Sequence, residues 1–157
     1  KRRLEVKAQV HGITIIDDFA HHPTAIAETL KAVRTRYPGR RLWAILEPRS
    51  NTLRRKVFQA ELAQSLSLAD EVVLAGIFKS EAIPEHDRLQ PAAVVAALRA
   101  AGSPARLLDT ADAIVESIVP ELCEGDVVTI LSNGAFGGIY EKLPAKLKSL
   151  REVSTTA

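Results

Sequence analysis

Apolar residues change period repeatedly along this chain. Leu4 to Val10 (LEVKAQV) and Gly12 to Asp18 (GITIIDD) are strand-like runs that meet at His11-Gly12, a pair suited to a hairpin. From Pro23 the spacing lengthens: Ile26, Leu30 and Val33 fall on one face of a helix, Lys31, Arg34 and Arg36 face away, and Pro38-Gly39 ends the segment. The alternation then repeats. Strands are expected at Arg41 to Leu46, Glu71 to Ala75, Arg106 to Leu108 and Asp126 to Leu131, and helices around Arg54 to Ser65, at Pro91 to Ala100, at Ala111 to Val119 and after Gly138. Pro144 lies where a continuous helix would lose a hydrogen bond, so a start, kink or break is expected there, and Val153 to Ala157 reads as a disordered tail. Strands alternating with helices of this length predict an α/β, Rossmann-like domain over residues 1–152. Its sheet should be mostly parallel, with helices on both faces and an antiparallel N-terminal hairpin at one edge.

Composition narrows the picture without changing it. A chain of 157 residues that is 46% hydrophobic can bury one sizeable core and hardly two. Its 21 basic and 19 acidic residues leave a net charge of +2, scattered along the sequence, so neither nucleic acid nor a membrane is the expected partner. The single cysteine, Cys123, allows no internal disulfide and suits a reducing compartment, and no apolar run approaches the roughly 20 residues that cross a bilayer. A cytoplasmic protein is expected. The chain lacks methionine and opens on KRRLEV, so it reads as a piece cut from a longer protein.

In open α/β sheets ligands bind at the carboxyl ends of the strands, which directs attention to the loops DDFAHHPT (Asp17 to Thr24), EPRSNT (Glu47 to Thr52) and SNGAFGGI (Ser132 to Ile139). In the first, Pro23 suits the first helical position and the free N–H groups behind it favour an anion. Asp18 there can accept from ribose hydroxyls, and His21 or His22 can donate to a phosphate; the plainer role for either aspartate is to cap the turn. A metal site would need ligands from elsewhere, and the other histidines, His11 and His86, stand outside any cluster. In the second loop Arg49 stands beside Ser50, Asn51 and Thr52, a set able to grip a carboxylate or phosphate, although Pro48 and Asn51 also suit an ordinary turn and Thr52 a helix cap. In the third, Gly134, Gly137 and Gly138 permit close backbone approach, as a ligand or simple helix–strand packing would require.

Taken in this order and spacing, the three loops resemble the C-terminal domain of the Mur ligases, ATP-dependent enzymes that add amino acids or peptides to UDP-N-acetylmuramic acid in bacterial cell-wall synthesis. The resemblance runs from about Arg3 to Leu150. DDFAHHPTAI resembles the segment that opens this domain in the muramate-dependent branch. EPRSNT and LSNGAFGGI are most similar to members that join a murein tripeptide, L-Ala-γ-D-Glu-meso-diaminopimelate, to UDP-N-acetylmuramate in peptidoglycan recycling; L-alanine-adding relatives have an aromatic-containing, more basic loop in place of EPRSNT. The resemblance implies amide formation through an acyl phosphate, with ATP and Mg2+ held mainly by a central domain outside this chain. It implies that Asp18 and His21, with His22 nearby, approach the ribose and phosphates. The peptide would face Arg49, Ser50, Asn51 and Thr52, together with Asn133, Gly134, Ala135, Phe136 and Gly137. No residue here is expected to make or break bonds, and without a G-x-x-x-x-G-K-[ST] loop the piece should not catalyse alone. Three alternatives stand beside this reading: an L-alanine-adding ligase, a metal-dependent phosphoesterase built on the Asp–His cluster, and a non-catalytic nucleotide-binding module.

Overall fold

The computed structural model describes residues 3–156, with side chains through residue 150. Strands β1 (Glu5–Val10) and β2 (Ile13–Asp18) form the antiparallel hairpin. The turn has His11 at φ 52° and Gly12 at φ 80°, the left-handed pair that matches the twist of the flanking strands. The chain continues through α1 (Pro23–Arg36), β3 (Leu42–Leu46), α2 (Gln59–Leu66), β4 (Glu71–Leu74) and α3 (Pro91–Ala100). It ends with β5 (Ala105–Leu107), α4 (Ala111–Ile118), β6 (Val127–Leu131) and α5 (Ile139–Thr156). The strand order is β1-β2-β6-β3-β4-β5, and every pair except the first is parallel.

Composition explains the order. ITIIDD, LWAIL and VVTIL are buried along their whole length, as central parallel strands covered on both faces must be. EVKAQV is largely exposed and carries Glu5 and Lys7, which suits an edge, and the three-residue β5 closes the other side. Alternate side chains of β3 enter different cores. Leu42, Ala44 and Leu46 meet Ile26 and Leu30 of α1, Leu62 and Leu66 of α2, and Val94 and Leu98 of α3. Trp43 and Ile45 point the other way, toward Ile114 and Ile118 of α4 and Leu143 and Leu147 of α5. The buried indole N–H of Trp43 donates to Asp126 Oδ2 at 3.1 Å, a carboxylate that also receives Arg41. No helix among the described residues is long and apolar enough to cross a membrane.

The expected parallel sheet, hairpin and two helical layers are present, and two local expectations change. The helix expected from Arg54 begins only at Gln59, after a single 3-10 turn at Lys56–Phe58. Residues before it are engaged elsewhere: Arg54 C=O accepts from Leu89 N–H at 2.9 Å, and Arg55 forms an isolated antiparallel bridge with Arg88. Pro144 neither begins nor ends a helix, since α5 runs through it as one element. As the sixth residue of α5 it gives up the bond its N–H would make to the Tyr140 carbonyl, yet the helix continues through it. The tail expected over Val153 to Ala157 lies outside the residues whose side chains are described.

One polar tie fixes the end of α1 and gives a pH test. Arg34 grips Asp70 through two N–H groups at 2.8 and 3.1 Å, and Leu42 N–H donates to the same carboxylate at 2.8 Å. Burial alone would raise the Asp70 pKa, but Arg34 and the Leu42 amide together hold it below the ordinary carboxylate range. A depressed folded-state pKa contributes stability above the unfolded value and loses it as pH falls through the folded one. The advantage of wild type over Asp70→Asn in thermal melts should therefore hold from neutrality to about pH 5 and shrink below about pH 4. A difference that grows on acidification would contradict the assignment.

Candidate functional site

Because β2, β6 and β3 are neighbours, the loops that leave their carboxyl ends adjoin. Hydrogen bonds tie them together. Ser132 N–H donates to the Asp18 carbonyl at 3.3 Å and Glu47 N–H to the Leu131 carbonyl at 3.1 Å. Ser132 Oγ–H donates to Glu47 Oε1 at 2.8 Å, and Ser50 Oγ–H to the His21 carbonyl at 3.0 Å.

In the first loop Asp18 is buried and its carboxylate serves the protein itself. Oδ1 accepts from Ala20 N–H at 2.9 Å and Thr29 Oγ–H at 3.1 Å, and Oδ2 accepts from Leu4 N–H at 2.8 Å. Two histidines follow with opposite tautomers. His21 Nδ1 lies 3.1 Å from the Phe19 carbonyl, which can only accept, so that nitrogen bears the proton. His22 is the N-cap of α1: its Nδ1 accepts from Thr24 N–H at 3.2 Å, which leaves the proton on Nε2. The His22 ring rests against Phe58 at 5.1 Å, so its Nε2–H is a fixed donor at the positive end of a 14-residue helix headed by Pro23. A cavity of about 130 Å3 opens beside Asp18, Phe19, His21 and Thr29. It is well below the roughly 300 Å3 at which small-molecule pockets begin.

The second and third loops meet at Arg49. Its guanidinium carbon lies 3.6 Å from the centroid of the Phe78 ring. Gly134 also packs against Arg49: any Cβ there would collide with Arg49 Nε and Cζ, so only glycine leaves room for the guanidinium. Nη1 faces Glu47 Oε1 at 3.9 Å, and no hydrogen bond of the guanidinium is found among the described residues. Gly134 N–H donates to Ser132 Oγ at 3.1 Å, which sets the glycine's position. Beside it in sequence, Asn133 Oδ1 is buried and has no hydrogen-bond partner among the described residues.

The other residues singled out from sequence divide by placement. The hydroxyl of Ser50 is committed on both sides, since it also accepts from Leu53 N–H at 3.0 Å; it is a strut between loops. Asn51 Oδ1 accepts from Arg55 Nε at 3.3 Å, and the Thr52 carbonyl accepts from Arg55 N–H, so Thr52 caps no helix through its side chain. Ala135 and Gly137 are exposed, but the Phe136 side chain is buried in the core under α4 and α5. The Phe136 ring thus packs inward, away from the exposed Ala135 and Gly137 on either side of it. Its φ of 46° turns the ring inward, a strained conformation for a bulky residue. Phe78 was missed by pattern reading because residues 76–90 show no periodicity; the signal available was its place in the loop after β4, at the same carboxyl edge.

Residues 2–134 match the family model described as Mur ligase, glutamate ligase domain. The chain is 42% identical over 144 residues to the UDP-N-acetylmuramate--L-alanyl-γ-D-glutamyl-meso-2,6-diaminoheptandioate ligase of Escherichia coli K12, covering 91% of this chain and 29% of that protein. It is 35% identical over 134 residues to the UDP-N-acetylmuramate--L-alanine ligase of Desulfitobacterium hafniense, covering 85% and 30% respectively. A crystallised domain assigned to a UDP-N-acetylmuramate:L-alanyl-γ-D-glutamyl-meso-diaminopimelate ligase of Haemophilus ducreyi is 41% identical with a TM-score of 0.72, over 92% of this chain and 99% of that one. The chain thus spans under a third of the length of the curated relatives it matches.

Proposed function

Since this chain belongs to the Mur ligase family, as its glutamate ligase domain, we propose that it is the acceptor-reading part of an ATP-dependent ligase that joins a murein tripeptide to UDP-N-acetylmuramate. The observation that carries this reading is the Arg49 fork: a planar guanidinium is stacked on Phe78 and packed close to Gly134, and no hydrogen bond of it is found among the described residues. Such a fork suits a carboxylate, and a peptide ending in diaminopimelate brings several. Asn51, Thr52, Ala135 and Gly137 are assigned to the rim of this peptide site, whereas Ser50 holds it in place.

His22 Nε2–H, with His21 beside it, is assigned to the phosphate side of ATP, and Asp18 shapes the loop that presents them. Mg2+ is assigned to the remainder of the whole enzyme. Activation of the muramyl carboxylate as an acyl phosphate belongs there too; this domain's work is to bind, orient and exclude water.

Acceptor competition tests the proposal. Whole enzyme supplied with ATP and UDP-N-acetylmuramate should consume tripeptide with a far higher kcat/KM than L-alanine; equal or better use of L-alanine would move the assignment to the L-alanine-adding branch. A second expectation concerns this chain by itself, a reasonable object because a domain covered to 99% by this chain has been crystallised separately. With a first-loop cavity of only about 130 Å3, calorimetry should detect no micromolar ATP binding to it.

A further inference from the structure

We infer that Phe78, in the loop after β4, is a positioning residue for acceptor recognition, holding Arg49 flat so that its outer edge meets a peptide carboxylate. This rests on the reading of Arg49 given above. An unrestrained arginine samples many rotamers and loses that freedom on binding; a stacked one has already lost it. Phe78 is itself built in from both sides. Its N–H donates to the Pro48 carbonyl at 3.0 Å, one residue before Arg49, and its carbonyl accepts from Arg54 Nη1 at 3.3 Å. Lys79, next in sequence, has φ 49°, a left-handed conformation that costs a non-glycine residue free energy and turns the chain there. Two backbone ties and a strained neighbour thus place one half-buried ring against the guanidinium, and the bare Gly134 leaves room for it.

The stack is a specificity device because a flat guanidinium can lie on a ring face and still present its outer edge, which an ammonium cannot do. It also links a third loop, the one after β4, to the peptide site formed after β3 and β6. The acceptor class follows: a peptide with a carboxylate able to take two parallel N–H donors, in preference to a neutral amide of the same shape.

The test is steady-state kinetics of the full-length enzyme carrying Phe78→Ala, Phe78→Tyr, Gly134→Ala, Arg49→Ala and the Phe78→Ala/Arg49→Ala pair. Phe78→Ala should raise the tripeptide KM roughly 3- to 30-fold, with the KM values for ATP and UDP-N-acetylmuramate unchanged. Phe78→Tyr, which keeps the ring face, should stay near wild type. In the Arg49→Ala background the Phe78 change should add almost nothing, as expected of two residues acting as one unit. Gly134→Ala pushes Arg49 out of its slot while removing no core side chain, and should raise the tripeptide KM alone; it decides the matter if Phe78→Ala fails to fold. An Arg49→Ala enzyme with raised tripeptide KM beside Phe78→Ala and Gly134→Ala enzymes without it would overturn the inference and leave the Arg49 reading standing. An unchanged tripeptide KM in Arg49→Ala would overturn both. A uniform rise in all three KM values for Phe78→Ala would make the ring merely structural.

Discussion

Arg49→Ala in the whole enzyme is expected to raise the KM for tripeptide by roughly 10- to 100-fold while ATP and UDP-N-acetylmuramate retain theirs, because a charge-assisted pair contributes about 1.5–3 kcal/mol. The site can show so large an effect because, among the described residues, the guanidinium makes no hydrogen bond: the Glu47 carboxylate stands at 3.9 Å and already receives Ser132 Oγ–H at 2.8 Å. On the proposed reading, the carboxylate of the acceptor peptide completes Arg49. Arg49→Lys should recover only a fraction of the loss, since an ammonium can neither stack on Phe78 over its full width nor present two parallel N–H groups. Initial-rate measurements with each substrate varied in turn decide this, and an unaltered tripeptide KM would remove Arg49 from the peptide site.

Asp18→Ala should act on folding. Three donors, Leu4 N–H, Ala20 N–H and Thr29 Oγ–H, lose their acceptor at a buried position, and the expected cost is about 3–5 kcal/mol, a large share of the roughly 5–15 kcal/mol that holds a domain together. Asp18→Asn keeps one oxygen but turns an NH2 toward a donor, so it should cost less than alanine without being neutral. Urea denaturation of this chain reads the difference as a lower midpoint at unchanged slope. A midpoint equal to wild type would return Asp18 to the pool of groups free to serve a ligand.

That aspartate shows where reading the sequence reached its limit. Run length and pattern were enough for the sheet, because short apolar runs such as LWAIL and VVTIL, set between helical stretches, suit strands covered on both faces, and the change of spacing at Pro23 marks the start of α1. The rule that ligands gather at strand ends brought together loops that proved to be neighbours. Direction of side chains was not legible. Asp18, Ser50 and Phe136 all sit in the singled-out loops, yet two are consumed by internal hydrogen bonds and the third fills the core. Partners distant in sequence were equally hidden: the helix expected at Arg54 gives way because Leu89 and Arg88 claim its backbone, and Phe78 reaches Arg49 across 29 positions in an aperiodic segment.

The bond from Ser50 to the His21 carbonyl has a mechanical consequence on the proposed reading. Ser50 leads directly from the arginine fork, and His21 directly into the phosphate-facing His22, so the two readers are separated by a single hydroxyl. A rotation of the domain that misaligns one misaligns the other. The domain would then work as a coincidence gauge: it seats fully only when fuel and acceptor are registered together, so that an activated carboxylate is not left waiting for water.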